Sequence, residues 1–215
     1  MARQGVKMVV MTQVRPYRGI EAAERLAERR RRFLEAGLDL LGGGQNPEEL
    51  TVRAICRQAG LAVRYFYESF TDKDELVAAV FDWVIADIAG TTQAAVTAVP
   101  LREYNQAGMA NIVRTIVDDP RVGRLLFSPH ANPVLVRKRT ESEALMAMLT
   151  AQSVLDTFGV PENERIKATA HFVVGGVVQA ISTWLAGTVQ LSPDELVDQL
   201  TAILDVFVDP DLFKS

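Results

Sequence analysis

The stretch from Thr51 to Leu76, TVRAICRQAGLAVRYFYESFTDKDEL, decides the fold. A short helical run from Thr51 ends at Gly60, where a left-handed glycine stops a helix and turns the chain sharply. A second short helix starts within three residues. Ile55, Ala59 and Leu61 supply apolar contacts on one side of the turn, and Phe66 and Phe70 supply them on the other. Cys56, one turn ahead of Gly60, reads as a small packed residue where two helices cross closely. Two short helices joined in this way form a helix-turn-helix, whose second helix is the one that enters a DNA major groove. Arg53, Arg64, Tyr65, Tyr67, Ser69 and Lys73 lie on or beside that helix with few acids among them, as donors suited to phosphates and base edges.

Proline and glycine punctuate the rest of the chain. Asn46-Pro47, Asp119-Pro120, Asn132-Pro133 and Ser192-Pro193 each set a side-chain acceptor at an N-cap and proline at the first helical position, where its missing N–H costs nothing. Ser192 with Glu195 satisfies a capping box, and Thr71 with Asp74 gives a weaker one. Apolar residues recur between these starts at helical spacing. Leu196, Leu200, Ile203, Leu204 and Phe207 form one stripe, and Ile166, Ala170, Val173, Val174, Val177, Ile181 and Trp184 form another. No run alternates with period two between turn pairs, so no strand is expected. The spacing predicts an all-α chain of about nine helices, over residues 21–41, 51–59, 63–70, 72–96, 101–117, 120–127, 133–158, 162–186 and 193–208. The expected division is a flexible basic arm (1–18), a three-helix helix-turn-helix domain (19–76) and a larger helical body (77–215).

Composition narrows the function. The 215 residues, 48% apolar and 23% charged, can bury a sizeable core. One cysteine excludes a disulfide scaffold or a Cys-based zinc finger, and two histidines leave little for a metal site. There is no Gly-rich phosphate loop and no Gly-x-Ser-x-Gly elbow, so neither an enzyme nor a bound cofactor is expected. Residues 168–193 lack Asp, Glu, Lys and Arg and are long enough to span a bilayer. They carry His171, Gln179, Ser182, Thr183 and Gln190, however, and read as a buried or subunit-interface helix. With no signal-like opening either, a soluble cytoplasmic protein without a membrane partner is expected.

Net charge is −4, yet residues 1–70 carry 12 Lys/Arg against 8 Asp/Glu, and residues 71–215 carry 11 against 19. A basic first third joined to an acidic remainder suggests one part made for a polyanion. Arg29 to Arg32 read as a solvated face of the first helix that adds to this field. Arg3, Lys7, Arg15 and Arg18 read as an arm able to reach a minor groove or the flanking backbone.

The quoted run resembles the N-terminal domain of TetR-family (tetracycline-repressor-like) regulators: an apolar helix, Ala-Gly-Val/Leu, a short helix ending Tyr-x-x-Phe, then Lys-x-x-Leu. Ala59, Gly60, Leu61, Tyr67, Phe70, Lys73 and Leu76 stand at that spacing. Phe33, Ala36, Leu38, Leu40 and Leu41 ahead of Gly42 match the preceding helix, so that the resemblance covers residues 21–76. It implies that Thr51 caps the second helix and touches phosphate, and that Arg53 approaches the groove or backbone. Val63, Arg64 and Tyr65 would be the exposed face of the recognition helix. Tyr67, ring packed and hydroxyl outward, and Lys73 would hold phosphates, Lys73 from the first turn of the fourth helix where the macrodipole favours anions. The chain departs from the commonest pattern at Ala62 (usually a capping Ser), Arg64 (usually Gly) and Tyr65 (usually Thr). Loss of the cap costs about 0.5–2 kcal/mol locally. Arg64 adds a side chain able to grip guanine bidentately, so no relative's operator transfers.

For the remainder the resemblance implies a ligand-binding and dimerisation body. The last two long helices would pair with their twofold mates, Gly175, Gly176, Ala180 and Ala186 allowing close approach while Val178, Ile181 and Leu185 pack. Dimerisation is also expected independently, because one short recognition helix reads too few base pairs to be selective. A pocket between the middle helices and the eighth would be lined by Trp83, Asn105, Met109, Phe127, Met146, His171 and Trp184, a mix suited to a small, mostly apolar effector. The expected function is a ligand-responsive repressor that binds double-stranded DNA at a (pseudo)palindromic operator as a homodimer. The alternative is a helical small-molecule-binding protein that does not bind DNA.

Overall fold

The computed structural model describes residues 18–43, 50–129 and 132–207. The expected arm residues Arg3, Lys7 and Arg15, the Asn46-Pro47 helix start and His130 lie outside the described residues. Within the described residues the chain is all-α, with nine helices: α1 (Arg18–Gly42), α2 (Val52–Ala59), α3 (Val63–Ser69), α4 (Lys73–Thr97), α5 (Tyr104–Asp118), α6 (Pro120–Phe127), α7 (Pro133–Phe158), α8 (Glu164–Leu185) and α9 (Pro193–Val206). The helix expected from residue 101 opens as a 3-10 turn, Leu101–Glu103, and becomes α-helical at Tyr104.

Side-chain caps set these boundaries. Asp119, Asn132 and Ser192 each accept backbone N–H bonds at the start of a helix whose first residue is proline. Ser192 and Glu195 close a full capping box. At α4 the cap is Asp72, one residue beyond the expected Thr71–Asp74 pairing. Asp72 Oδ1 accepts from the N–H groups of Asp74 (2.9 Å) and Glu75 (2.8 Å). Glu75 in turn reaches back to the Thr71 N–H (2.7 Å) and hydroxyl (2.8 Å). A carboxylate satisfies two of the unpaired N–H groups at once, which fixes the start there.

Two apolar clusters hold the helices. The first joins Phe33, Leu34 and Leu38 of α1, Ile55 and Ala59 of α2, Phe66 of α3, and Leu76, Val77, Val80, Phe81 and Val84 of α4 to Leu125 of α6 and Leu135 of α7. One continuous core therefore runs from the helix-turn-helix into the body. The second cluster gathers Val113 and Ile116 of α5, Ile181 of α8 and Leu196, Val197 and Leu200 of α9. Phe127 packs against both.

Polar links fasten α1 to α6. Arg121 bonds Asp39, Asp119 (Nη2–Oδ2, 2.5 Å) and, more loosely, Glu35 (3.7 Å), while Arg124 donates to the Gly42 carbonyl. A Cβ on Gly42 would lie 2.5 Å from the Arg121 carbonyl oxygen, so only glycine permits this approach. Between α4 and α7, Lys138 pairs with Asp82 at 2.6 Å.

Helix α8 is long and apolar enough to cross a membrane by length and composition alone. Within the chain it buries Ile166, Ala170 and Ile181. Phe172 remains 67% exposed, and a Cβ at Gly175 or Gly176 would meet nothing within 4 Å. Ile203 and Val206 of α9 are also exposed, and the Phe172 ring lies 5.7 Å from that of Phe207. Ile181, expected to pack across a twofold interface, instead belongs to the chain's own second cluster, since the α8 stripe is wide enough to present two faces.

Candidate nucleic-acid interface

Helix α2 begins at Thr51, whose hydroxyl accepts from the Ala54 N–H at 3.1 Å. It ends at Gly60 with φ 63° and ψ 35°, the left-handed region that glycine occupies without steric cost. There the Gly60 N–H bonds the Arg57 carbonyl (3.2 Å) and the Leu61 N–H bonds that of Cys56 (3.0 Å), closing the helix. Cys56 is buried, which pushes its thiol pKa up and keeps it in the unreactive protonated form. Helix α3 then starts at Ala62 with no side-chain cap, as its sequence predicts.

Of the seven residues of α3, Phe66 is buried, Tyr65 and Ser69 are half-buried, and Val63, Arg64, Tyr67 and Glu68 are exposed. Phe66 is fully buried and meets Phe33 edge-to-face at 5.6 Å, and Phe70 lies 6.2 Å from Phe33 and 5.6 Å from Phe66. On the outer side Val63 is 43% and Tyr67 60% exposed, with the Tyr67 ring edge-on to Phe66 at 5.4 Å. Arg53, Arg64 and Lys73 are exposed, Lys73 as the first residue of α4.

Two of the expected contact residues sit differently. Tyr65 is half-buried and packs against the first core cluster, and two guanidinium groups lie over its ring: that of Arg29 at 4.6 Å and that of Arg64 at 4.7 Å from the centroid. Arg64 Nη2 also donates to the Tyr65 hydroxyl at 2.8 Å, a contact that raises the guanidinium pKa further. The Ser69 hydroxyl is buried without a hydrogen-bond partner, turned into the protein rather than outward.

The arginine run on α1 is the larger correction. Its residues were expected on a solvated face, but three of the four grip the helix-turn-helix. Arg29 pairs with Glu68 at 3.1 Å, Arg30 donates to the Ser69 carbonyl at 2.6 Å, and Arg32 donates to the Ala59 carbonyl at 2.6 Å. Arg31, paired with Glu28, and Arg32 remain exposed as expected, whereas Arg29 and Arg30 are half-buried. The available signal was helical spacing, because Arg29 stands one turn before the buried Phe33 and shares its face.

The residues expected around an effector are spread through the body. Trp83 of α4 packs against the first cluster, and Met109 and Trp184 pack against the second, the Trp184 indole N–H donating to the Leu191 carbonyl at 2.8 Å. Asn105 donates to Asp205 of α9 at 2.8 Å, and Met146 is half-buried on α7. His171 lines a groove of about 350 Å³ between α7 and α8, with Ala147, Met148, Ala151, Leu155 and Lys167. Another groove, of about 280 Å³, lies between α5 and α9, walled by Ala110, Val113, Val117 and Val197 beside Arg114 and Asp198.

Residues 33–80 match the sequence profile described as bacterial regulatory proteins, tetR family. No curated protein matches the chain. Solved structures share its fold over most of its length. The fatty acid degradation regulator FadR from Bacillus halodurans aligns with a TM-score of 0.65 at 14% identity, covering 82% of this chain and 94% of that one. A TetR-like transcriptional regulator from Rhodococcus sp. RHA1 aligns at 0.62 and 18% identity, covering 88% and 98%. FadR from Bacillus subtilis, solved in complex with stearoyl-CoA, aligns at 0.62 and 14% identity, covering 83% and 97%. At these identities the fold is what is shared. Residues 33–80 thus carry the helix-turn-helix of the tetR family, and the helical body behind them shares its fold with TetR-like regulators.

Proposed function

We propose that the chain is a ligand-responsive repressor that binds a (pseudo)palindromic operator as a twofold dimer and is released by a small, mostly apolar effector. The observation that carries this reading is the outer edge of α3: Val63, Arg64 and Tyr67 face solvent while Phe66 and Phe70 of the same turn are buried. In this reading Arg64 reads base edges and Val63 contacts them. Thr51, Arg53, Tyr67 and Lys73 hold phosphate, and Tyr65 and Ser69 support that surface from behind. The arm, expected over 1–18 but ending before Arg18 because that residue opens α1, and the helix-turn-helix (to residue 76) serve DNA, and the body (77–215) serves effector and partner. A DNA partner also makes the protein cytoplasmic.

The dimer reading is supported by the bare apolar side of α8 and α9, where Phe172, Ile203 and Val206 are exposed beside two glycines with open space over them. A twofold contact there would set the two recognition helices about one DNA turn apart. The effector would occupy the body among Trp83, Asn105, Met109, Phe127, Met146, His171 and Trp184. The stearoyl-CoA complex of the Bacillus subtilis relative supports a ligand with a long apolar part. Release then follows from a population shift. Helix α4 carries Lys73 at one end and Trp83 further along, so an effector that favours a tilted α4 disfavours the DNA-bound spacing. A coupling of about 1–3 kcal/mol gives roughly 5- to 150-fold release.

The test is selection of bound fragments from random DNA with the full chain, followed by a compound screen for release. The expected result is an inverted-repeat site bound by a dimer. A chain that stays off DNA at low salt yet binds compounds would instead be the non-DNA-binding ligand carrier.

A further inference from the structure

We infer that Tyr65 is a positioning residue that aims Arg64, and so sets base specificity without itself reading a base. The inference rests on the DNA-binding reading of α3. Arg64 is exposed on a long, flexible side chain, and an unrestrained arginine loses much rotamer freedom when it docks on one base. Here it is not unrestrained. Its Nη2 donates to the Tyr65 hydroxyl at 2.8 Å, and its guanidinium lies over the same ring. A guanidinium has five N–H donors, so this bond leaves enough for a bidentate contact to guanine.

The Tyr65 ring is itself fixed. It is half-buried against the core, and the Arg29 guanidinium, reaching from α1 and tied to Glu68 at 3.1 Å, lies 4.6 Å from its centroid. Arg29, Tyr65 and Arg64 therefore form a chain of contacts from the first helix to the outer edge of the recognition helix. Ala62 adds to the need for one, because α3 starts with no side-chain cap and its first turn lacks that restraint. Tyr65 and Arg64 are two of the positions at which the sequence departs from the commonest family pattern, and the structure places them in direct contact.

The experiment measures binding of the full chain to its selected operator and to duplexes altered one base pair at a time. Thermal unfolding of each variant reports on the fold. Arg64→Ala is expected to lose preference at one guanine in each half-site. Tyr65→Phe keeps the ring and its packing. It is expected to lose about three- to tenfold of the preference at that same guanine, the size of one hydrogen bond at an exposed site. Its affinity for mismatched duplex and its salt slope should stay at wild-type values. The double variant should match Arg64→Ala alone, because Tyr65 then has nothing to aim.

The inference is overturned if Tyr65→Phe discriminates like wild type, if its loss falls at a different base pair, or if it weakens all duplexes equally. The first outcome makes the contact idle, the second makes Tyr65 a base reader, and the third makes it merely structural. Full discrimination retained by Arg64→Ala also overturns it and leaves the DNA-binding reading intact. A wild-type chain with no sequence preference overturns that reading itself.

Discussion

Arg30 Nη1 donates to the main-chain oxygen of Ser69 at 2.6 Å, and its guanidinium lies 4.3 Å from the centroid of the Phe70 ring. One turn of α1 thus holds the C-terminal end of α3, and Arg32, bonded to the Ala59 carbonyl, holds that of α2. The last carbonyls of a helix have no internal partner and carry the negative end of its dipole, so a cation there satisfies both needs. Arg30→Ala and Arg32→Ala should each destabilise the protein by about 0.5–1.5 kcal/mol, the net worth of one such hydrogen bond at a part-buried carbonyl. Arg31→Ala, at a side chain 64% exposed, should change little. Denaturant midpoints of the three variants check this, and equal midpoints would mean that the bonds contribute nothing net. Arg30→Lys should recover only part of the loss, because a lysine cannot both reach the carbonyl and stack on Phe70.

Lys73 and Arg64 should separate in their effects on DNA. Lys73, exposed at the first position of α4, is suited to a phosphate, which every sequence presents alike. Lys73→Ala should weaken all duplexes by a similar factor and reduce the salt slope by about one unit. Arg64→Ala should cost about 1–3 kcal/mol at particular base pairs and leave the others unchanged. Binding titrations at several salt concentrations measure both, and identical behaviour of the two variants would remove the division of roles.

These side chains also mark where the sequence was legible. Helix starts could be read because a cap acts within a few residues of its own helix: Asp119, Asn132 and Ser192 stand beside the N–H groups they accept from. Gly60 was legible for the same reason, as its left-handed turn is a local property. The grip of Arg30 on Ser69 spans 39 residues, and that of Arg121 on Asp39 spans 82. No pattern within one helix encodes such pairs, and charged residues default to solvent in a reading by composition. Ile181 went astray differently. It lies on a helix apolar on two sides, and only the packing of α5 and α9 decides which side is inside. The candidate effector residues share that difficulty, since a tryptophan such as Trp184 serves a core as well as a pocket wall.

Acid should loosen the junction between α1 and α6. Arg121, hydrogen-bonded to Asp119, holds that carboxyl below its ordinary value of 3.8. A group whose pKa is lower in the folded state stabilises the fold above its unfolded pKa, about 3.9, and that contribution disappears as pH falls through the folded value. Wild-type urea midpoints should therefore drop between pH 5 and pH 3, by the ordinary carboxylate range, more steeply than those of Asp119→Asn, and differ from them by a constant above pH 6. Parallel curves would show that Asp119 titrates alike in both states. Partial exposure of the pair, at 33% and 30%, keeps the effect modest.

Assembly should depend on Phe172 and not on Ile181. Phe172 is 67% exposed on the side of α8 that the protomer leaves bare, whereas Ile181 is 1% exposed inside the second cluster. Phe172→Glu places a charge where a partner's apolar surface would have to exclude water, and leaves the protomer core untouched. Wild type is expected to be a dimer, and the variant a folded monomer at the same concentration, as read by light scattering. Ile181→Ala should lower stability by about 2–5 kcal/mol and still assemble below its unfolding temperature. The monomeric variant then has a second consequence. A single α3 of seven residues touches one half-site, so Phe172→Glu should lose the inverted-repeat preference while keeping weak, salt-sensitive DNA binding. A dimer that survives Phe172→Glu would move the twofold contact to a different face, and the spacing of the two recognition helices would then be set elsewhere.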